Sequence, residues 1–173
     1  MKDLAAGSLL AISTVFPAAA FDSPLIDPAG LQQALAGDSI QIIDIRAPEG
    51  EGGYASGHIE GAVSAPYPLF RGPAENPGQL PDLATLEGTV ESLGLEPDQP
   101  VVVTYQGPSV SDFGAAARVY WTLKSLGFEE LAILNGGIEA WSEAGLALST
   151  DAVTPVPSTL DLSWNGTWTA TTD

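Results

Sequence analysis

Hydrophobic positions change period several times along the chain, and each change marks an element. Residues 40–45, 101–105 and 131–134 are short, almost unbroken apolar runs rich in Ile, Val and Leu, the pattern of strands buried on both faces. Between them the spacing becomes helical: Leu83, Leu86, Val90 and Leu93 recur on one face, with Asp82 as N-cap and Gly94 as stop. Asp27-Pro28 predicts another helix start, with Leu31, Ala34 and Leu35 as its apolar face and Gly37 as its end. Residues 111–126 read as an Ala-rich amphipathic helix closed by Gly127, and residues 138–144 as a last helix closed by Gly145. This alternation predicts a doubly wound α/β fold, its sheet mostly parallel and its helices on both faces.

The intervening stretches read as connections. Residues 47–57, rich in Gly, Glu and Pro, predict a surface loop, and residues 57–63 a turn into a brief strand. Five prolines between Pro66 and Pro81 predict a long irregular segment. Residues 151–173 are dominated by Thr, Ser, Pro and Trp without a period, as in a linker or an arm lying on the surface. At the other end, the apolar stretch from Leu4 to Phe16, followed by Pro17 and Ala18-Ala19-Ala20, has the proportions of a signal-peptide core and cleavage site and is too short to span a bilayer. With Lys2 as its only base beside Asp3, a buried N-terminal helix is the alternative. The expected organisation is a signal peptide over 1–20, one domain over 21–150 and an arm over 151–173, in a periplasmic or secreted protein.

Composition narrows the function. The chain carries 22 acids against 5 bases, a net charge of −17, which repels nucleic acid and anionic membranes and slows anionic ligands. With bases so scarce, Arg46, Arg71 and Arg118 are expected to be paired, packed or ligand-facing. There is no cysteine, so disulfides, thiolate metal sites and thiol catalysis are all excluded. A single histidine, His58, excludes a multi-histidine metal site, and no cofactor is implied.

Candidate chemistry gathers where the run 101–105 breaks into Gln106, Gly107, Pro108, Ser109, Val110 and Ser111 before the helix. A strand-to-helix loop presents backbone amides at the positive end of the helix dipole, so this one is either a cradle for a small anion or an ordinary connection. It lacks a nucleophile. A hydrolase built from Ser109 or Ser111 with His58 and an aspartate is disfavoured, because Pro108-Ser109 lacks the Gly-x-Ser-x-Gly elbow.

Four blocks carry a resemblance: Asp44-Ile45-Arg46; Gly57-His58-Ile59-Glu60-Gly61-Ala62; the strand 101–105 with its loop; and Leu134-Asn135-Gly136-Gly137-Ile138-Glu139-Ala140-Trp141. In this order and spacing they resemble the signature blocks of the rhodanese domain over about residues 27–148. That resemblance implies a sulfurtransferase fold in which active members carry sulfane sulfur from thiosulfate or a similar donor on a loop cysteine. Here Gln106 stands where that cysteine is expected, and an amide neither attacks a sulfur donor nor holds a persulfide. The chain is therefore most similar to the non-catalytic N-terminal half of tandem sulfurtransferases, with a stand-alone binding module as the alternative.

The remaining expectations are structural. Asp44 and Arg46 are expected to pair or brace the loop, His58 to hydrogen-bond backbone near Asp44, and Arg118 to pair with an acid beneath the loop. Trp121 and Trp141 read as core aromatics, while Trp164 and Trp168 need a surface to cover them, in this chain or in a partner such as a second rhodanese domain.

Overall fold

The computed structural model describes residues 21–169 apart from Asp38, so the expected signal peptide lies outside the described residues. Five parallel strands form one sheet in the order β1-β5-β4-β2-β3: β1 (Leu25–Ile26), β2 (Gln41–Asp44), β3 (Val63–Ser64), β4 (Val101–Thr104) and β5 (Leu131–Leu134). The helices are α1 (Pro28–Leu35), α2 (Leu83–Ser92), α3 (Val110–Ser125) and α4 (Gly137–Glu143). Asp27 and Asp82 cap α1 and α2 as their positions predict, accepting from the Gly30 and Thr85 amides at 2.7 and 2.8 Å.

Alternation along the strands divides the core in two. Ile43, Val101, Val103 and Ile133 meet Leu86, Val90, Val119 and Leu123 of α2 and α3 on one face. Ile42, Val102, Ala132 and Leu134 meet Leu31, Ile138 and Trp141 of α1 and α4 on the other. Both faces are covered, which is why these strands read as continuous apolar runs.

Four expectations need correction. Residues 47–57 are not wholly a surface loop: a turn of 3-10 helix at Tyr54–Ser56 buries Tyr54 against the α1/α4 face. The proline-rich segment contains a second such turn, Tyr67–Phe70, with Phe70 in the core. Leu83, read as part of the buried face of α2, is exposed at the first helical position, where the chain enters from solvent. Trp121 is not in the core but half-buried on α3 under the tail, whereas Trp141 is buried and donates Nε1–H to the Ala147 carbonyl at 2.9 Å.

The tail lies across α2 and α3. Leu160 and Leu162 donate their amides to Glu91 and Glu87 at 2.8 and 2.6 Å, and both pack against the core with Trp164. Trp164 meets Trp121 edge-on at 5.6 Å, and Trp121 Nε1–H donates to the Trp168 carbonyl at 2.8 Å. The two tail tryptophans thus find cover on this chain, although half of Trp168 stays exposed.

Candidate functional site

In a parallel sheet every strand ends at the same edge, and ligands collect where the outgoing loops diverge. At that edge a cavity of about 510 Å³ opens between the loops after β2 and β4 and the start of α3. It is lined by Ile45, Ala47 and Ala115, by Tyr67 and Tyr105, and by Arg46, Glu51, Gln106 and Asp112 among others.

The β2 exit is built on a buried ion pair. Arg46 Nη2 lies 2.6 Å from Asp44 Oδ2, with both side chains almost entirely out of solvent. Nε donates to the same carboxylate at 3.0 and 3.1 Å, Nη2 also donates to the Gly57 carbonyl at 2.6 Å, and Nη1 reaches the Gly52 carbonyl at 3.0 Å and Gln106 Oε1 at a long 3.4 Å. The planar fork therefore finds an acceptor for each of its N–H directions and clamps both ends of the 52–57 segment onto the strand end. His58 is fully buried, stacked on Tyr54 with ring centroids 3.9 Å apart, and its ring nitrogens lie 3.1 Å from the carbonyl oxygens of Tyr54 and Asp151. It faces backbone next to the Asp44–Arg46 loop and is not among the cavity-lining residues.

The β4 exit is built differently. Gln106 is half-buried at the cavity wall, and its Nε2–H donates to Glu139 Oε1 on α4 at 3.1 Å. Backbone joins the same elements: the Ile138 amide donates to the Tyr105 carbonyl at 2.8 Å and the Glu139 amide to the Gln106 carbonyl at 3.0 Å. The approach is so close that a Cβ on Gly107 would collide with the Glu139 carboxylate, and one on Gly137, at φ +66°, with the Tyr105 and Gln106 carbonyls. Ser109 caps α3, its Oγ accepting from the Asp112 amide at 3.0 Å, and Val110 stands 91% exposed beside it. Pro108 and Ser111 are also exposed.

Electrostatically, carboxylates crowd this loop. Glu139 is set against Gly107, and Asp112 adds a carboxylate in the first turn of α3, where it offsets the helix dipole. Burial, and to a lesser extent the Asp112 charge, push the Tyr105 phenol above its ordinary 10.0, against a lowering hydrogen bond from the Gly136 backbone.

Arg118 does not support the loop. Its Nη2 donates to the Gly78 carbonyl at 3.0 Å and its guanidinium lies 5.4 Å over the Trp121 ring, so the acid expected beneath the loop is absent from its contacts. Among the described residues the salt bridge is Asp44–Arg46. Tyr67, Glu139 and the lining carboxylates Glu51 and Asp112 are among the residues that sequence reasoning missed. Tyr67 sits in a segment read as irregular, and Glu139 reaches the loop only because α4 docks on the β4 exit. The single signal for Glu139 is its place in the first turn of the helix that follows Gly136-Gly137.

Comparison with known proteins agrees with this geometry. The family described as "Rhodanese-like domain" matches residues 27–144. A Mycobacterium tuberculosis protein named "Putative thiosulfate sulfurtransferase SseB" is 35% identical over 139 residues, covering 73% of this chain and 45% of that protein. The thiosulfate sulfurtransferase of Pseudomonas aeruginosa is 33% identical over 144 residues, covering 82% and 51% respectively. The crystal structure of the Escherichia coli 3-mercaptopyruvate sulfurtransferase SseA superposes with a TM-score of 0.69 at 27% identity, over 83% of this chain and 56% of that one. The chain spans about half the length of these relatives. A parallel α/β sheet with paired Asp44 and Arg46 at one strand end, a strand-to-helix loop at the next, and this family match over most of its length make the chain a member of the rhodanese-like domain family.

Proposed function

We propose that this chain is a catalytically inactive rhodanese-like domain that supports sulfur transfer by a cysteine located elsewhere, in the manner of one half of a tandem sulfurtransferase. One observation carries the reading: the loop after β4 presents Gln106, held to Glu139 and Arg46, and the chain contains no cysteine to form a persulfide. The length of its relatives, about twice the matched region, supports the tandem form. A stand-alone binding module is the second reading, favoured by the cavity beside Gln106, which persists without the nucleophile. In a thiosulfate:cyanide assay the purified chain is expected to produce no thiocyanate above background, and turnover that survives removal of contaminating enzyme overturns the inactive reading. Reading the gene beyond Asp173 separates the two forms. A continuing frame with a second loop that carries cysteine supports the tandem half, and a stop codon there leaves the binding module.

A further inference from the structure

We propose that the cavity beside Gln106 binds a compact organic cation, an ammonium group with a small apolar body, and not the oxyanions on which sulfur-transfer chemistry runs. The inference rests on the reading that this cavity performs no sulfur transfer itself, and it assigns the class of ligand.

The charges lining the cavity decide its sign. Arg46 is its one basic group, and that charge is matched by Asp44 at 2.6 Å while its N–H groups are taken by Asp44, Gly52, Gly57 and Gln106. An incoming thiosulfate would have to displace one of these acceptors. Arg71 is not in the lining: it lies 5.1 Å over the Tyr67 ring and donates Nε–H to the Pro77 carbonyl. Against these spent cations stand Glu51 and Asp112 in the wall, neither of them in a salt bridge among the described residues, and Glu139 just behind Gln106. The net charge of −17 extends the same sign over the whole chain and raises the local concentration of cations.

Shape supplies the rest. Ile45, Ala47 and Ala115 line the cavity with apolar side chains, and Tyr67 and Tyr105 border the same space, so the small apolar body of an organic ammonium finds apolar wall beside the carboxylates. A volume of about 510 Å³ lies within the range of small-molecule sites. Gln106 also fits this reading, because its Oε1 faces Arg46 and its Nε2 faces Glu139, so its amide separates a spent cation from a carboxylate and adds no charge.

Choline chloride is the probe, with sodium thiosulfate at matched ionic strength as comparator, followed by amide NMR shifts of the purified chain. Choline is expected to give saturable, millimolar shifts at Gly52, Gly53, Gln106 and Ala115, and thiosulfate none there. The double variant Glu51→Gln/Asp112→Asn should weaken choline by about five-fold or more, whereas Glu60→Gln/Glu143→Gln, with the same change in net charge on exposed residues outside the lining, should leave it within about two-fold. Saturable thiosulfate shifts at the cavity, choline shifts that never saturate, or equal weakening by the two double variants would each overturn the proposal. A thiocyanate assay on the same samples keeps the two readings apart: turnover sinks the inactive assignment, and absent choline binding sinks only this one.

Discussion

The loop leaving β2 is organised around a buried charge pair, whereas the loop leaving β4 is organised around a neutral amide at the rim of the same cavity. In the first, Asp44 and Arg46 have no water to fall back on, so each contact is obligatory, and losing one partner strands the other in a low-dielectric site. In the second, Gln106 is half-buried and solvent can replace its bonds. The difference teaches where the architecture of this edge resides. It resides in the charged strand end, while Gln106 contributes neutral, half-exposed bonds.

The most severe way to break the comparison is Asp44→Asn. It leaves the Arg46 charge buried without its counterion and is expected to cost about 3–5 kcal/mol in urea unfolding, while Asp44→Asn/Arg46→Met recovers a large part of that loss. A cost under about 1 kcal/mol for the single variant would show that the pair is not what holds the β2 exit. Next comes Gln106→Ala, expected to cost about 1 kcal/mol or less, with the Gly107 and Ile138 amide signals close to their parent positions. A loss as large as that of Asp44→Asn would erase the contrast between the two loops.

The smallest effect sharpens the comparison by pH. The fold favours the neutral Tyr105 phenol, chiefly through burial, so its pKa lies above 10.0 in the folded chain. A group raised in this way and neutral when protonated contributes stability that is fully present below pH 10 and lost as pH rises through the folded pKa. Subtracting the ultraviolet titration of Tyr105→Phe from that of the parent should isolate one phenol ionising above 10. Ionisation at or below that value would mean that the cavity wall is wetter than the structure shows.

Much of this was legible from pattern. The buried strands announced themselves as apolar runs because both sheet faces are covered, and Asp27 and Asp82 marked their helices because a capping carboxylate has few other roles at those positions. β1 was missed: two residues at a sheet edge make no period. The apolar run 101–105 put Gln106 at the β4 exit, but Glu139 lies 33 residues away and meets it only through tertiary docking. Tyr67 was hidden by the prolines around it, which break every local period while still allowing a 3-10 turn that places the residue in the cavity lining. Arg118 was placed beneath the loop from its position in α3 alone, and the helix face it occupies points instead to Gly78 and Trp121.

The docking of α4 on the β4 exit has a consequence for how such a chain drifts under mutation. The course of the loop is written in backbone contacts, the amides of Ile138 and Glu139 on the carbonyls of Tyr105 and Gln106, and these are indifferent to the side chain at position 106. A lineage can therefore change the residue at that position, and with it the chemistry, without first solving a folding problem. The position closed to such drift is Gly137, at φ +66°, where a Cβ would run into the Tyr105 and Gln106 carbonyls and force the two elements apart.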